Sequence, residues 1–322
     1  MRRCVTLMVV FMFLFAVGGI FISGCSTGTS DVENTDILGI SGVEPAGLYR
    51  FERVWGGQGS DAGQLFMPWG VYADSQFVYV ADYGNRRVQK FDHNGNYVSH
   101  WTNQRSESEG FVGVAAITGD AMGYIYAVDS RSVWKFDSNG TFIAELASYQ
   151  VVSPMGLAVD SDRNIQMTEM GQCLVQKINQ SGQIIGSWGS EGSGNGQLRN
   201  PFGISSGPDG NIFVADTGNH RIQKFDKEGR YLVQWGSQGT GSGQFHSPID
   251  IDVHSSGLVA VADMANIRIQ VFNSSGQLVS IFGAQGAGDG DFKSPRAVCF
   301  NPRGDIFVAD WDSHKIYKFV RN

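Results

Sequence analysis

One pattern recurs six times between residue 48 and the C-terminus of this chain. Its most regular marker is an acidic residue that ends a short apolar run, at Asp82, Asp129, Glu169, Asp216, Asp263 and Asp310. Successive acids are about 47 residues apart, except for a shorter step of about 40 between the second and the third. A fixed period of this length predicts a repeat architecture, and it overrides the two domains that length alone would suggest. Equivalent units also leave no separate catalytic subdomain.

Each unit contains four short apolar or alternating runs separated by turn residues. In the fourth copy the runs are 203–206, 212–215, 221–225 and 231–235, and glycine, asparagine and proline lie between them. Four antiparallel strands per unit, repeated radially, describe a blade of a β-propeller. The sequence therefore predicts an all-β chain that forms a six-bladed β-propeller of four-stranded blades.

The last unit is incomplete at its C-terminal end. It stops at Asn322 after three strands and lacks the outermost strand that the other units carry. Residues 49–56, before the first unit, match the outer strand at 231–236 of the fourth unit. We therefore expect the N-terminal strand to complete the last blade and close the ring, because closure removes an open sheet edge.

The second and third runs of the fourth unit carry a recognisable motif. They read Ala-Asp-x-x-Asn-His-Arg-Ile-Gln-Lys-Phe at 215–225, with weaker copies at 81–91, 262–272 and 309–319. This motif resembles the signature of NHL repeats, and the resemblance extends over 48–322. It implies a propeller fold, and NHL propellers similar to this chain act as extracellular sensor domains and as protein-interaction platforms.

The charge balance narrows the possible partners. RNA-binding NHL proteins present a basic face, whereas this chain has 24 Lys and Arg against 31 Asp and Glu. Because nucleic-acid binding rests on basic surface, no nucleic-acid partner is expected.

The first 25 residues have the layout of a secretory signal. Two arginines precede an apolar run, and an Ile-Ser-Gly-Cys sequence ending at Cys25 follows it. This ending resembles the lipobox of prokaryotic lipoproteins, which implies cleavage before Cys25 and lipidation of its thiol. An uncleaved membrane helix is the alternative, since about 18 apolar residues barely span a bilayer. Residues 26–47 have the composition of a flexible tether, so both interpretations place the propeller at 48–322 in the cell envelope, outside the cytoplasm.

A ring of candidate ligand-binding residues follows the proline (valine in the second unit) that begins each innermost strand. These positions should surround the mouth of the central channel, and they are Trp69, Ala115, Met155, Phe202, Ile249 and Arg296. An apolar ring with one cation could hold an apolar or anionic ligand, with Arg296 as the charge partner. The alternative is a channel filled by its own side chains, as is usual in small pores.

The shorter step between the second and third units comes from deletions after Asp129 and before Pro154. Both deletions lie on the mouth face, which predicts a lowered rim beside these two units. Arg131, Trp134 and Tyr149 lie in the shortened segments, and we expect them to form an aromatic notch that seats a peptide or a small anionic ligand. Degeneration of the repeat is the alternative interpretation.

The same resemblance also extends to two classes of enzyme that are related propellers. Peptide-amidating lyases hold a zinc ion through histidines at the channel mouth, but no mouth position in this chain is histidine. Streptogramin lyases are related propellers, so a lyase or hydrolase with its site at the channel mouth stays the alternative function. We expect no metal, no cofactor and no catalytic residues, and we expect the recurrent acids to cap turns.

These observations predict a surface-anchored binding scaffold or sensor whose partner is an extracytoplasmic protein, peptide or small ligand. The membrane is contacted through the lipid anchor, and a monomer is expected. Cys173 and Cys299 should be buried free thiols, because a six-unit ring places the third and sixth units too far apart for a disulfide.

Overall fold

The computed structural model describes residues 47–103, 111–130, 132–147, 153–283, 286 and 288–322. Within these residues the chain forms six sheets, and each sheet has four antiparallel strands. The six-bladed propeller that the repeats predict is therefore confirmed. The signal segment with Cys25, and the tether apart from Gly47, lie outside the described residues.

The strands are short and follow one another along the chain. They are β1 (Tyr49–Gly56), β2 (Pro68–Ala73), β3 (Phe77–Asp82), β4 (Arg87–Asp92), β5 (Tyr97–Trp101), β6 (Ala116–Gly119), β7 (Ile125–Val128), β8 (Val133–Phe136), β9 (Phe142–Leu146), β10 (Pro154–Val159), β11 (Ile165–Glu169), β12 (Leu174–Ile178), β13 (Ile184–Trp188), β14 (Pro201–Ser206), β15 (Ile212–Asp216), β16 (Arg221–Phe225), β17 (Tyr231–Trp235), β18 (Pro248–Val253), β19 (Val259–Asp263), β20 (Arg268–Phe272), β21 (Leu278–Phe282), β22 (Pro295–Phe300), β23 (Ile306–Asp310) and β24 (Lys315–Arg321).

Consecutive strands make the blades. Blade one comprises β2–β5, blade two β6–β9, blade three β10–β13, blade four β14–β17 and blade five β18–β21, and blade six comprises β22–β24 with β1 outermost. The first strand of each blade contacts the first strands of both neighbouring blades, so β2, β6, β10, β14, β18 and β22 surround a central channel. Short 3-10 helices follow the second strand of blades three, four and five, at Met170–Gln172, Thr217–Asn219 and Met264–Asn266. In the described part of the chain, no helix is long and apolar enough to cross a membrane.

The N-terminal strand closes the ring. Strand β1 pairs antiparallel with β24 along its whole length, from Tyr49 opposite Arg321 to Gly56 opposite Lys315. The backbone N–H of Asn322 also donates a hydrogen bond to the carbonyl that precedes β1, at 3.0 Å. The predicted closure is confirmed, and it joins the two ends of the propeller without a covalent bond.

A tryptophan from the outer strand of one blade packs against the next blade. The ring of Trp55 lies near Phe91 of blade one and Phe307 of blade six, with centroid distances of 6.2 and 6.0 Å. The indole covers Gly95, where a Cβ atom would lie 2.6 Å from it, and the φ of +80° also favours glycine there. The same pairing recurs in Trp101 with Gly140, Trp188 with Gly229 and Trp235 with Gly276.

The recurrent acids organise the connector that enters each blade. In blade four the Asp216 carboxylate accepts hydrogen bonds from Arg221 Nε and from the backbone N–H of Arg199, both at 2.7 Å. Arg221 in turn donates to backbone carbonyls of the connector between 193 and 197. Equivalent ion pairs are Asp82 with Arg87 in blade one and Asp263 with Arg268 in blade five. These contacts are structural, and they account for the recurrence of the acid without catalysis.

Candidate functional site

The six positions of the predicted mouth ring lie together at one end of the channel. In five blades the inner strand begins with a proline opposite the acid that ends the second strand, and the pairing register shifts immediately afterwards. This irregularity leaves the residue after the proline outside the ladder, so its side chain is free to turn toward the opening. All six residues line one cavity, and they are Trp69, Ala115, Met155, Phe202, Ile249 and Arg296.

The channel contains a cavity of about 320 Å³. It extends from the mouth ring to the opposite end of the inner strands, where Val253, Ser255 and Pro302 line it. The alternative in which side chains fill the channel is therefore wrong. The volume lies at the lower end of the ~300–1,000 Å³ that is typical of small-molecule sites.

Arg296 is the cation of the mouth ring, and aromatic rings enclose it. Its Cζ atom lies 4.6 Å from the ring centroid of Trp69 and 5.0 Å from that of Trp311. Its Nε is buried and has no hydrogen-bond partner, and no carboxylate of the described residues comes within 4.0 Å of its guanidinium. Burial lowers the pKa of Arg296, although the nearby Asp312 carboxylate opposes this shift. The mouth thus holds a partly desolvated cation whose nearest partners are π faces.

Sequence reasoning missed the aromatic neighbours of this cation. Trp311 packs edge-on against Trp69 with centroids 5.0 Å apart, and Tyr83 lies 5.1 Å from Trp69 and 5.5 Å from Trp311. Both residues directly follow a recurrent acid, at the end of the second strand of blades six and one. The acid lies opposite the proline of the inner strand, so the residue after it also belongs to the mouth. That pairing was available from the repeat pattern and would have identified a second ring of positions.

Trp134 does not lie at the surface of a notch, contrary to the prediction. Its exposed fraction is 2%, and its ring packs edge-on against Phe111 with centroids 6.1 Å apart. Its place on the third strand corresponds to Gln223 in blade four, whose amide lies beneath the connector and bonds to the recurrent acid. In blade two the indole fills that interior space instead. Arg131 and Tyr149, the other predicted notch residues, lie outside the described residues.

Two carboxylates lie deeper in the channel wall, on β18. The backbone N–H of Val298 donates to Asp250 Oδ2 at 3.0 Å, and that of Phe300 donates to Asp252 Oδ2 at 2.8 Å. The hydroxyl of Ser205 donates to the other oxygen of Asp252 at 2.9 Å. The two side chains therefore connect the inner strands of blades four, five and six, and they satisfy N–H groups on the free edge of β22.

Burial changes the ionisation of both carboxyls. It raises the pKa of Asp250 to about 7, with a smaller contribution from the Asp252 charge, and it also raises the pKa of Asp252. Both residues keep some accessible surface, and they line the cavity, so that surface faces the channel. Sequence reasoning missed this pair, although the fifth unit alone has acids at the second and fourth positions after the proline.

The histidines near the mouth face are held in structural contacts. His220 Nδ1 accepts the backbone N–H of Ser247 at 3.0 Å, and His314 Nδ1 accepts that of Met67 at 3.0 Å. Within the described ranges, no three His, Cys, Asp or Glu side chains converge as a metal site. Cys173 and Cys299 are buried free thiols, as predicted.

The family model of the NHL repeat matches residues 67–91 and 198–225, in blades one and four. The chain is a β-propeller with NHL repeats in blades one and four. A segment of 87 residues is also 40% identical to protein lin-41 of Caenorhabditis elegans, and it covers 26% of this chain and 7% of lin-41. The matched segment thus spans only a small part of the length of that relative.

Solved propellers of similar fold include binding proteins and enzymes. An auxiliary nutrient binding protein from Bacteroides ovatus has a TM-score of 0.65 and 15% identity, over 86% of this chain and 77% of that one. A streptogramin B lyase has a TM-score of 0.61 and 14% identity, over 85% and 98%. A catalytically inactive virginiamycin B lyase from Staphylococcus aureus, with quinupristin, has a TM-score of 0.58 and 15% identity, over 85% and 100%. At such identities the likeness shows the fold alone.

Proposed function

We propose that this NHL propeller is an extracytoplasmic binding protein and that the mouth of its channel is the ligand site. The ligand has an anionic group that contacts Arg296 and an apolar or aromatic part that packs on Trp69 and Trp311. The observation that carries this proposal is the half-buried Arg296, whose buried Nε has no hydrogen-bond acceptor and which has no carboxylate of the described residues within 4.0 Å. The open cavity beneath it provides the space.

The chemistry of Arg296 favours an anion over a neutral ligand. A buried donor without an acceptor costs about 1–3 kcal/mol, and more for a charged group, so a ligand that supplies the acceptor recovers that cost. A guanidinium also binds planar carboxylates through paired hydrogen bonds. The surrounding rings supply apolar contact area at a low entropic cost, which is the usual composition of a binding hot spot.

A lyase function has the support of the fold likeness to streptogramin lyases, but the residues at the mouth favour binding. The inactive virginiamycin B lyase carries a histidine-to-alanine substitution. Among the described residues of the NHL propeller, the histidine that lines the cavity is His254, at the end opposite the mouth ring. Its Nδ1 lies 2.8 Å from Ser256 Oγ in a local turn contact. A binding role therefore requires fewer assumptions than catalysis at the mouth.

Naphthoate and its neutral analogue naphthamide are suitable probes of the mouth, with affinity measured by calorimetry. We expect the NHL propeller to bind naphthoate about tenfold more tightly, because a charge-assisted hydrogen bond contributes roughly 1.5–3 kcal/mol and about 1.4 kcal/mol is tenfold. Arg296→Met should remove this preference, and Trp311→Ala should weaken both probes. Arg303→Met, in an exposed loop at the opposite end, is the matched control. Equal affinities for the two probes, or equal effects of both arginine changes, would contradict the proposal.

The location of the NHL propeller is proposed from its N-terminus. The Ile-Ser-Gly-Cys ending supports a lipoprotein whose thioether at Cys25 is the membrane anchor. Cys25→Ala should leave the chain unprocessed or release it from the membrane fraction, whereas Cys4→Ala, within the signal, should not. Mass spectrometry of the mature N-terminus provides the measurement. A free cysteine without lipid, or an intact signal segment, would reject this anchoring.

A further inference from the structure

The channel has opposite charges at two depths. The guanidinium of Arg296 lies at the mouth, and the carboxyls of Asp250 and Asp252 lie farther along the same cavity. Their hydrogen-bond donors, Val298 and Phe300, are two and four residues past Arg296 on β22. At about 3.3 Å per residue, the carboxyls are on the order of 7–13 Å along the strand from the start of the mouth. The ion pairs of the described residues include none between Arg296 and either acid.

We propose that Asp250 and Asp252 take the ammonium end of a linear ligand whose carboxylate end is held by Arg296. This inference rests on the proposed function and narrows its ligand to the class of α,ω-amino carboxylates, in which an alkyl chain separates the two charges. The class includes free ω-amino acids and the C-terminal lysine of a peptide, which share this chemistry.

Asp250 lines the channel and keeps part of its surface accessible there. Val298 donates to Oδ2, whereas Oδ1 lies beside Gly203 of blade four. A Cβ atom at Gly203 would lie 2.6 Å from that oxygen, so the glycine is what allows this close approach between the inner strands of blades four and five. Buried carboxylates need an opposite charge or several donors. An alkylammonium, with its three N–H donors, satisfies both requirements.

The pair is specific to blade five. The corresponding second and fourth positions in the other units are Gly70 and Tyr72, Ala116 and Thr118, Gly156 and Ala158, Gly203 and Ser205, and Ala297 and Cys299. Neutral side chains suffice at those positions, so the architecture of the ring does not require acids. The alkyl part of the ligand would start at the mouth, where Phe202 and Ile249 belong to the same ring as Arg296, and run along the inner strands to the two carboxyls.

The titratable groups that face the acids make the binding depend on pH. Besides each other, Asp250 and Asp252 face Cys299 on β22, Tyr72 on β2 and His254 at the end of β18. Burial raises the pKa of the Cys299 thiol and of the Tyr72 hydroxyl, so both stay neutral near pH 7. Asp250, with its pKa near 7, changes its ionisation in this range, and an ammonium binds its ionised form. The contribution of the amine should therefore grow as pH rises through neutrality, while the amine itself, with a pKa of about 10.4, stays charged.

Four probes separate the two ends of the site: ω-aminohexanoate, hexanoate, hexylamine and hexanol. At about pH 8.5 we expect aminohexanoate to bind at least tenfold more tightly than hexanoate, and the ratio should approach one at about pH 5.5. Asp250→Asn should abolish the ratio and keep the hexanoate affinity, because the amide oxygen can still accept from Val298. Asp162→Asn, at an exposed acid in blade three, should change neither the affinity ratio nor the hexanoate affinity. Aminobutyrate and aminooctanoate then test whether the spacing of the charges matters.

The outcomes distinguish this inference from the proposed function. If hexanoate binds more tightly than hexanol through Arg296, but aminohexanoate binds no more tightly than hexanoate at any pH, the inference is wrong. The proposed ligand site at the mouth then stands. If hexanoate and hexanol bind alike, the mouth site is wrong, and a hexylamine affinity lost in Asp250→Asn would still support the carboxylate pair. The inference is overturned if Asp250→Asn and Asp252→Asn both leave the ratio of aminohexanoate to hexanoate affinity unchanged. If Asp250→Asn does not fold, Asp252→Asn and the pH dependence of the unmodified protein test whether the two carboxyls bind the ammonium group.

Discussion

Deletion of residues 47–56 should abolish cooperative folding of the propeller. Strand β1 contributes three large side chains to the closing blade: Tyr49 is 5% exposed, Phe51 packs against Phe319 with centroids 5.9 Å apart, and Trp55 reaches blade one. At roughly 1.5–3 kcal/mol for a fully buried side chain, and less for the half-buried Phe51 and Trp55, their loss removes on the order of 5 kcal/mol before the lost pairing with β24 is counted. A typical free energy of unfolding is about 5–15 kcal/mol, so little or none would remain. Urea denaturation followed by tryptophan fluorescence measures the effect.

The deletion also uncovers the edge of β24, which exposes N–H and C=O groups to other chains. A circular permutant is the matched control, because it keeps every residue and changes only their order. Tyr49 lies opposite Arg321, so a short turn after Asn322 can lead directly into residues 47–57, with a new N-terminus at Gln58. This permutant should fold with a stability close to that of the natural order. A truncated chain that melts at the same temperature as the full chain would show that closure is not what holds the ring.

Asp250→Asn should be more stable than the unmodified protein above neutral pH, and the difference should disappear in acid. In the folded chain burial raises the pKa of Asp250 from 3.8 to about 7. Between these values the folded state binds more protons than the unfolded state, so stability falls as pH rises through this window and stays low above it. One pKa unit corresponds to about 1.4 kcal/mol, so the carboxylate costs up to ~4 kcal/mol at high pH.

The neutral amide avoids that cost and still offers an oxygen to the N–H of Val298. Urea denaturation at about pH 4.5 and about pH 8.5 should therefore show a gain for Asp250→Asn only at the higher pH. Asp162→Asn, on the surface, should have the same stability as the unmodified protein at both pH values. A variant destabilised to the same extent at both values would mean that the folded carboxyl ionises normally and is stabilised by its hydrogen bonds.

The repeat pattern predicted the architecture because its signals are local. Turn glycines, alternating apolar runs and the motif at 215–225 each lie within one unit, and a propeller is built by repeating that unit. Even closure was predictable, since residues 49–56 copy the outer strand that the last unit lacks. The mouth ring was predictable for the same reason, because the residue after the proline has an equivalent place in every blade.

The environment of the site was not predictable from these patterns. Arg296 meets Trp69 of blade one, more than 200 positions earlier in the chain, and Trp69 in turn contacts Tyr83, because ring closure brings blades six and one together. Trp134 is of a residue type that is common in binding sites, but on the third strand it packs against Phe111 and is buried. Equivalence between units indicates which face a residue occupies, whereas its neighbours come from other units.

The sequence by itself determined the number of blades, the order of their strands and the strand that closes the ring. Only the tertiary structure decided that the channel is open, that Trp134 is interior, and that Asp250 has a pKa near 7. The physical reason is the range of the interactions involved. Backbone conformation and strand pairing within a blade depend on residues a few positions apart, whereas burial and ionisation sum the contributions of every blade that surrounds a side chain.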